Sequence, residues 1–397
     1  MSRERKLLFL APYPPRRDAL HGGARAMATL IGDLAERHRV ALLCLRDDSE
    51  AGIDPVLRER CEIAEELSRR SGAGPSGLRD RIRRRLRSAR DLLTLRPRWA
   101  TWCAVPAFEE RLRALHARWR PEVVQAEYDV MGQYLARLPR ARRVLHTYEP
   151  AAPAARERWH AGNRGLRGYL EMRGWERFER AVARCADVVV VLTARDRDAM
   201  TPYSTSTPVK VIPLDVEAPE RSLDPGGRPP LSVLFVGNFH HPPNVEAAIR
   251  LVRSIFPAVR RQCPDAVLHI VGESPPDLEG PGVVVTGRVP DVEPWLDRAA
   301  VVTAPLASGG GMRVKVLEAL AAGKAVVATP LAVEGLDGAP LVLADGDAET
   351  AEAIVGLLNE ADRRVALARR AREWAVGQGG GHRAVDAFES LYERLTS

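Results

Sequence analysis

The sequence has few cysteines, few aromatic residues and no long hydrophobic run. Aromatic residues make up 5% of the chain, and the cysteines lack the paired spacing of disulfide frameworks and zinc sites. We therefore expect reduced thiols in a cytoplasmic protein. No apolar stretch approaches the length of a membrane-spanning helix. The opening stretch, MSRERKLLFLAPYPP, lacks the apolar core and cleavage site of a signal peptide, so we expect none.

Positive charge is present but unevenly distributed. The formal net charge is +7, yet segment 76–120 alone holds thirteen arginines and four acidic residues. Within this segment, 79–98 has the pattern of a basic amphipathic helix. Three interpretations fit: a solvated basic face over a domain, contact with an anionic membrane that presents a lipid-linked acceptor, or guidance of a phosphorylated ligand.

Short apolar runs such as KLLFLAPY and ADVVVVLT alternate with predicted helices, for instance over 106–119 and 244–262, in two successive series. Such runs are typical of parallel strands buried on both faces. The alternation predicts an α/β protein in which a doubly wound sheet is built twice. Segment 215–230 is rich in Pro, Gly and charge and is the predicted linker. The predicted domains are 1–214 and 231–376, and a C-terminal helix over 377–397 is predicted to pack toward the first.

A glycine-rich turn runs directly into a helix in ASGGGMRVKVLEALAAGKAVVAT, residues 307–329. Glycines permit close approach of a ligand, and the free N–H groups of a first helical turn favour an anion, so phosphate is the natural ligand. Arg313 and Lys315 would add positive charge. Glu318 would repel phosphate but could accept hydrogen bonds from a ribose diol. On these residues alone, a turn with three solvated side chains fits equally well.

Four segments of the second half resemble the nucleotide-sugar signature of retaining glycosyltransferases with the GT-B fold, family 4 type. In order they are LFVGNFHHPPNVEAA, LHIVGESPP, VTGRVPDVEPWLDRAAVVTAPL and GGGMRVKVLEALAAGKAVVATPLAVEGL. The resemblance covers 231 to roughly 372 and is looser in the first half. It implies two Rossmann-like domains facing across a cleft, a UDP- or GDP-linked sugar donor, and a hydroxyl acceptor on the first domain. It further implies retention of the anomeric configuration, with no cofactor and no bound metal.

The resemblance also assigns roles to residues of the second domain. Glu318 would bind the donor's ribose. Gly310 occupies the position at which many members have a second glutamate, one that contacts the transferred sugar. Two diphosphate-binding cations of the family are matched here by the uncharged Asn238 and Pro243. Since a diphosphate leaving group needs its charge stabilised, we hypothesise that Arg313 and Lys315 replace them.

The remaining donor contacts are implied in the same way. Sugar contacts would come from backbone N–H groups at the glycine-rich turn, and a uracil or guanine edge would meet the backbone of Arg288 and Val289. His240 follows a strand end and would face the cleft. The implied donor-binding set is Gly22, Gly23, Gly237, Asn238, His240, Arg288, Val289, Gly309, Gly310, Gly311 and Met312.

In the first domain, His146 ends a predicted strand and is similar to the family's histidine near the transferred sugar. With Arg313, Lys315 and Glu318 it completes the predicted catalytic set. Candidate acceptor residues are Glu127, Tyr148 and Glu149, with Asp129 beside Glu127 as a further candidate; for Glu127 and Asp129 the alternative is that they are solvated loop acids.

Other function classes stay open on the sequence alone. They are a sugar-nucleotide epimerase of the same plan, a nucleic-acid-binding protein, and a non-catalytic degenerate member of the family. The first lacks a convincing acid/base set, and the second lacks a recognisable reading motif, so we expect no nucleic-acid partner. We expect a cytoplasmic enzyme, free or peripheral at the inner membrane face through 79–98. The acceptor would be a glycan, a lipid-linked precursor or a secondary metabolite.

Overall fold

The computed structural model describes residues 3–19, 22–69, 95–138, 140–160, 162, 165–216, 218–219, 221, 223–309, 314–377 and 383–397. The chain divides into two compact units. The first comprises Met1–Arg17, Met27–Pro213 and Ala384–Ser397, and the second comprises Asp18–Ala26 and Leu214–Arg383. Most of the predicted basic helix, 79–94, lies outside the described residues.

The first unit is built on a parallel sheet of seven strands in the order β3-β2-β1-β4-β5-β6-β7. The strands are β1 Lys6–Ala11, β2 Arg39–Arg46, β3 Ile63–Ser68, β4 Val123–Glu127, β5 Arg142–His146, β6 Val188–Val191 and β7 Val209–Val211. The chain runs outward in one direction from β1 and in the other from β4, so the switch point of the sheet lies between these two strands.

Helices cover the faces of this sheet. They are α1 Gly22–Ala35, α2 Pro55–Arg60, α3 Arg98–Trp102, α4 Pro106–Trp119, α5 Asp129–Gly132, α6 Ala151–His160, α7 Leu166–Ala183 and α8 Ala194–Met200, with a 3-10 turn at Leu135–Arg137. Residues 22–26 of α1 belong to the second unit. Strands of this sheet are largely buried on both faces, and the most apolar of them, such as the four valines of β6, read as continuous hydrophobic runs.

The second unit has a parallel sheet of six strands in the order β10-β9-β8-β11-β12-β13, with its switch point between β8 and β11. The strands are β8 Ser232–Val236, β9 Val267–Val271, β10 Val283–Gly287, β11 Val301–Ala304, β12 Ala325–Ala328 and β13 Val342–Leu343. Its helices are α9 Pro242–Arg250, α10 Phe256–Gln262, α11 Glu293–Arg298, α12 Val314–Ala321, α13 Asp347–Asn359 and α14 Ala361–Gly377, with a π-helical segment Leu251–Ile255 and a 3-10 turn Pro330–Val333.

The last helix, α15 (Arg383–Thr396), packs on the first unit. Its apolar stripe includes Phe388 and Tyr392, both at most 1% exposed. The Tyr392 hydroxyl donates a hydrogen bond to Gln125 Oε1 on β4 over 2.6 Å. The helix therefore contributes to the hydrophobic core and to a buried hydrogen bond at the same time.

Part of the predicted linker is anchored in the second unit. Arg228 donates to Asp297 Oδ2 over 2.7 Å, and the fully buried Lys324 donates to the backbone carbonyl of Asp224. Burial lowers the pKa of Lys324 to about 8. These contacts explain why the second unit begins at Leu214, before the predicted linker rather than after it.

None of the helices within the described ranges is long and apolar enough to cross a membrane.

Candidate functional site

The glycine-rich turn lies at the carboxyl edge of the second sheet, between β11 and α12. Gly309 has a φ of 100°, a backbone conformation that suits glycine. The predicted cradle residues Gly310, Gly311 and Met312, together with Arg313, fall outside the described residues. Their predicted contacts with a donor therefore stay predictions.

Lys315 and Glu318 lie three residues apart on α12 and thus share one helix face. The Lys315 ammonium donates to Asn244 Oδ1 over 2.6 Å and lies 4.6 Å from the centroid of the Phe235 ring. Phe235 is on β8 and Asn244 is on α9, which follows β8. The positive charge of Lys315 is therefore held at the switch point of the sheet, where ligands of such folds bind.

Asn244 is a site residue that the sequence did not suggest. Its side-chain amide donates to the Asn238 carbonyl over 2.7 Å, while its oxygen accepts from Lys315. The Asn238 side chain is itself used locally, because its oxygen accepts from the His240 N–H over 3.0 Å. Asn244 is 8% exposed, and it fixes both the loop after β8 and the lysine. In the sequence, the only sign of this role is an asparagine in the first turn of a predicted helix.

The loops after β8 and β9 touch through glycines. A Cβ on Gly272 would lie 1.7 Å from the Gly237 carbonyl oxygen, so only glycine fits at position 272. This approach places Ser274 beside His240, whose Nε2 is 3.2 Å from the serine Oγ. Predicted residues Gly237, Asn238 and His240 thus lie together at one sheet edge.

Arg288 and Val289 follow β10, which is the edge strand of the same sheet. Two strand spacings, about 10 Å, separate β10 from β8. Both residues are at the carboxyl end of their strand, as predicted for backbone recognition of a base. Arg288 is exposed.

Residues 18–26 bring an unpredicted cation to Glu318. Arg25 makes a bidentate ion pair with this carboxylate, with Nε to Oε1 at 2.7 Å and Nη2 to Oε2 at 2.8 Å. Its third nitrogen, Nη1, donates to the Ala19 carbonyl over 2.8 Å. The predicted residue Gly22 packs on the start of α12, where an added Cβ would lie 2.9 Å from Val314 Cβ. Gly23 follows it in the first turn of α1.

In the first unit, the predicted residues Glu127, His146 and Tyr148 form one buried network. Glu127 and His146 are register partners on β4 and β5. Glu127 Oε2 is 2.9 Å from His146 Nδ1 and accepts from the Tyr148 hydroxyl over 2.9 Å. The Gln125 amide donates to Glu127 Oε1 over 2.7 Å, and Gln125 accepts in turn from Tyr392.

This network is enclosed. Glu127 and His146 are 0% exposed and Tyr148 is 6% exposed. Burial raises the pKa of Tyr148 well above its ordinary value. A carboxylate with three donors places the His146 proton on Nδ1, and Nε2 has no hydrogen-bond partner among the described residues. Of the predicted first-unit residues, Glu149 is the one with a partly exposed side chain.

Two family comparisons agree with this architecture. The family described as "Glycosyl transferases group 1" matches residues 230–360, and the "Glycosyl transferase 4-like domain" matches residues 21–215. Together the two matches cover about four-fifths of the chain. The chain belongs to the group 1 glycosyltransferases. No curated protein sequence matches it.

Solved structures show the same fold as this glycosyltransferase. Sucrose-phosphate synthase from Thermosynechococcus elongatus is 17% identical with a TM-score of 0.69, covering 98% of this chain and 99% of its own. WaaG, a glycosyltransferase involved in lipopolysaccharide biosynthesis, is 14% identical with a TM-score of 0.63, covering 97% and 99%. Anabaena HepE, solved with UDP and glucose, is 13% identical with a TM-score of 0.60, covering 99% and 100%. Both sheets are thus Rossmann-like units of a GT-B glycosyltransferase.

The glycosyltransferase also has a cavity of about 380 Å³ at the carboxyl ends of β11, β12 and β13. Arg250 lines it, with Nη2 at 2.7 Å from Asp347 Oδ1 and Nη1 donating to the Pro305 carbonyl. The other lining residues are Leu306, Ala307, Thr329, Pro330, Leu331, Asp345 and Gly346. The cavity adjoins the strand that leads into Gly309, so it extends the same sheet edge.

Two buried carboxyl groups lie together in the first unit, at the start of α6. The side chains of Asp129 and Glu179 lie close enough to influence each other's pKa, and the Ala151 N–H donates to Glu179 Oε1. Burial raises the pKa of Asp129 to about 6, and burial together with the Asp129 charge raises the pKa of Glu179 well above its ordinary value. Burial therefore disfavours the ionised form of both carboxyl groups.

Within the described ranges, no three His, Cys, Asp or Glu side chains cluster so that they could hold a metal ion.

Proposed function

We propose that this glycosyltransferase moves a sugar from a nucleoside diphosphate donor to a hydroxyl acceptor with retention of the anomeric configuration. The observation that carries the proposal is the shared helix face of Lys315 and Glu318 at the switch point of the second sheet. A cation and a carboxylate one turn apart complement a diphosphate and a ribose diol. The structure of HepE, which was solved with UDP and glucose, supports the same donor class.

The donor's orientation follows from the helix. The ribose would hydrogen-bond to Glu318, and the diphosphate would lie toward the start of α12, where N–H groups and the dipole favour an anion. Gly309 and the turn that follows would contribute amide donors, and Lys315 and Arg313 would contribute positive charge. The base would reach the backbone of Arg288 and Val289, with uracil and guanine as the two candidates.

The reaction would need charge stabilisation rather than a carboxylate pair. The bond between the sugar's anomeric carbon and the phosphate oxygen breaks, and the acceptor hydroxyl forms the new bond from the same side. The acceptor's proton passes to the departing phosphate oxygen. The protein's part is to stabilise the negative charge that develops on the diphosphate, which requires no bound metal in this proposal.

The acceptor would bind through the first unit. Because Glu127, His146 and Tyr148 are enclosed, we infer that they hold the carboxyl ends of β4 and β5 in place, while the partly exposed Glu149 would meet the acceptor. A glycan, a lipid-linked precursor and a secondary metabolite are the acceptor classes to be assayed. Peripheral binding at the inner membrane face through 79–98 belongs to the same proposal.

A thermal-shift panel of UDP- and GDP-sugars tests the proposal, since a ligand that binds only the native state raises the melting temperature. We expect one donor to raise it, and product NMR with that donor to show the anomeric configuration of the donor. Absence of any shift across the panel would contradict the donor class. A product of inverted configuration would contradict retention alone.

A further inference from the structure

Arg25 occupies the carboxylate that the proposed function assigns to ribose. Both oxygens of Glu318 accept a guanidinium hydrogen bond, at 2.7 and 2.8 Å. The two side chains are 27% and 29% exposed, so a ligand can reach them. A ribose diol that bound Glu318 through both oxygens would compete with the bidentate Arg25 pair.

The guanidinium would not be left without a partner when this exchange occurs. Four residues, about 6 Å of helix, separate Glu318 from the start of α12, where the diphosphate is expected. An arginine fork is suited to phosphate, which it can bind through two parallel N–H donors. The contact from Arg25 to the Ala19 carbonyl holds the side chain beside this helix face.

Arg25 also supplies charge that the loop after β8 lacks. Asn238 and Pro243 are uncharged, and the polar groups of Asn238 bind His240 and Asn244. The Lys315 ammonium contacts the Asn244 side chain and the Phe235 ring. Lys315 lies three residues before Glu318 on the same helix. A diphosphate lying between Lys315 and the Arg25 guanidinium would thus meet a cation on either side.

We propose that Arg25 exchanges partners during donor binding: the ribose hydroxyls take over Glu318, and the released guanidinium binds the donor diphosphate. Arg25 is then both a competitor of the nucleoside and a ligand of the phosphates. The inference rests on the proposed function, because it requires the ribose at Glu318. It adds a donor-binding residue from segment 18–26.

The two roles predict effects of opposite sign in one variant. Arg25→Ala frees Glu318, so uridine should bind about twofold to fivefold more tightly, as expected for loss of a partly exposed ion pair. The same variant loses a charge-assisted contact with phosphate, so UDP should bind about tenfold more weakly. Arg25→Lys keeps the charge but not the fork and should recover part of the UDP affinity. Isothermal titration measures the affinities of uridine and UDP for the wild type and both variants, with guanosine and GDP as a second probe pair.

Arg221→Ala is the matched control, because Arg221 is an exposed arginine of the same unit that pairs with Glu293. It should change neither affinity. Thermal melting of each variant shows whether it is folded, and Arg25→Gln serves if the alanine variant is not. Equal weakening of uridine and UDP, or no change in either, would overturn the exchange.

The inference and the proposed function can fail separately. If neither UDP nor GDP binds the wild-type protein, the donor class is wrong and the exchange is wrong with it. If UDP binds, and Glu318→Gln lowers its affinity while Arg25→Ala leaves both uridine and UDP unchanged, then only the exchange is wrong.

Discussion

At the scale of single residues, we propose that the site compensates for missing charges. The family resemblance implies diphosphate-binding cations after the first strand of the second domain, where this chain has Asn238 and Pro243. The structure uses Asn238 as a loop cap and uses Asn244 to hold Lys315 at the switch point. In our proposal, a cation on α12 takes the place of one on the loop after β8.

Replacing Lys315 tests that substitution of roles. Lys315→Met keeps the aliphatic stem against Phe235 but removes the charge, so UDP or GDP should bind about tenfold to a hundredfold more weakly, since hydrogen bonds to charged groups contribute about 1.5–3 kcal/mol. Titration of the nucleotide measures the effect. Lys210→Met, at an exposed position on β7, is the control. Unchanged affinity in Lys315→Met would show that the lysine serves only to hold Asn244.

At the scale of elements, a pair of buried acids sits under the start of α6. Asp129 has a raised pKa in the folded protein, so its contribution to stability is present below its unfolded pKa and is lost as pH rises through about 6. The ionised pair is therefore a source of instability at alkaline pH rather than an anchor. Backbone N–H groups at the start of α6 partly offset this cost, because they stabilise the ionised form of both side chains.

Asp129→Asn should relieve this cost. The asparagine amide is uncharged and can donate to Glu179, so the variant should be more stable than wild type at pH 8 by on the order of 1–2 kcal/mol. The gain should shrink at pH 5, where the native pair is protonated. Urea unfolding at the two pH values measures it. A gain of the same size at both would mean that charge is not its origin.

The last helix offers a second test at the level of elements. Tyr392→Phe removes the donor of a buried hydrogen bond and leaves Gln125 Oε1 without one, at a cost of about 1–3 kcal/mol. The melting temperature should fall by roughly 2–4 °C per kcal/mol. Leu395→Ala, on the same helix and partly exposed, is a milder comparison. A melting temperature equal to that of the wild type would mean that the bond contributes nothing.

At the scale of the whole molecule, the sequence was sufficient to predict two doubly wound sheets. Strands buried on both faces are short and apolar, and helices with capping prolines or amphipathic stripes lie between them. The predicted helix over 106–119 has the observed bounds, whereas that over 244–262 is divided by the π-helical segment Leu251–Ile255. No local pattern distinguishes those five residues from an α-helix.

Contacts between distant segments were beyond sequence reasoning. Arg25 reaches Glu318 across 293 positions, and residues 18–26 belong with the second unit, although the sequence places them within the first domain. The closure of Glu127, His146 and Tyr148 into a buried network likewise depends on the register of β4 and β5 and on a tyrosine from α15. Motif spacing located these residues at strand ends but could not show what covers them.

The account stands on ribose recognition at Glu318, and one comparison tests it most directly. We measure the affinities of UDP and 2′-deoxy-UDP, or of the GDP pair, for the wild-type protein and for Glu318→Gln. The wild type should prefer the ribonucleotide by about tenfold, the effect of one charge-assisted hydrogen bond, and Glu318→Gln should lose most of that preference. A preference retained in full by Glu318→Gln would contradict the assignment of this carboxylate to the donor.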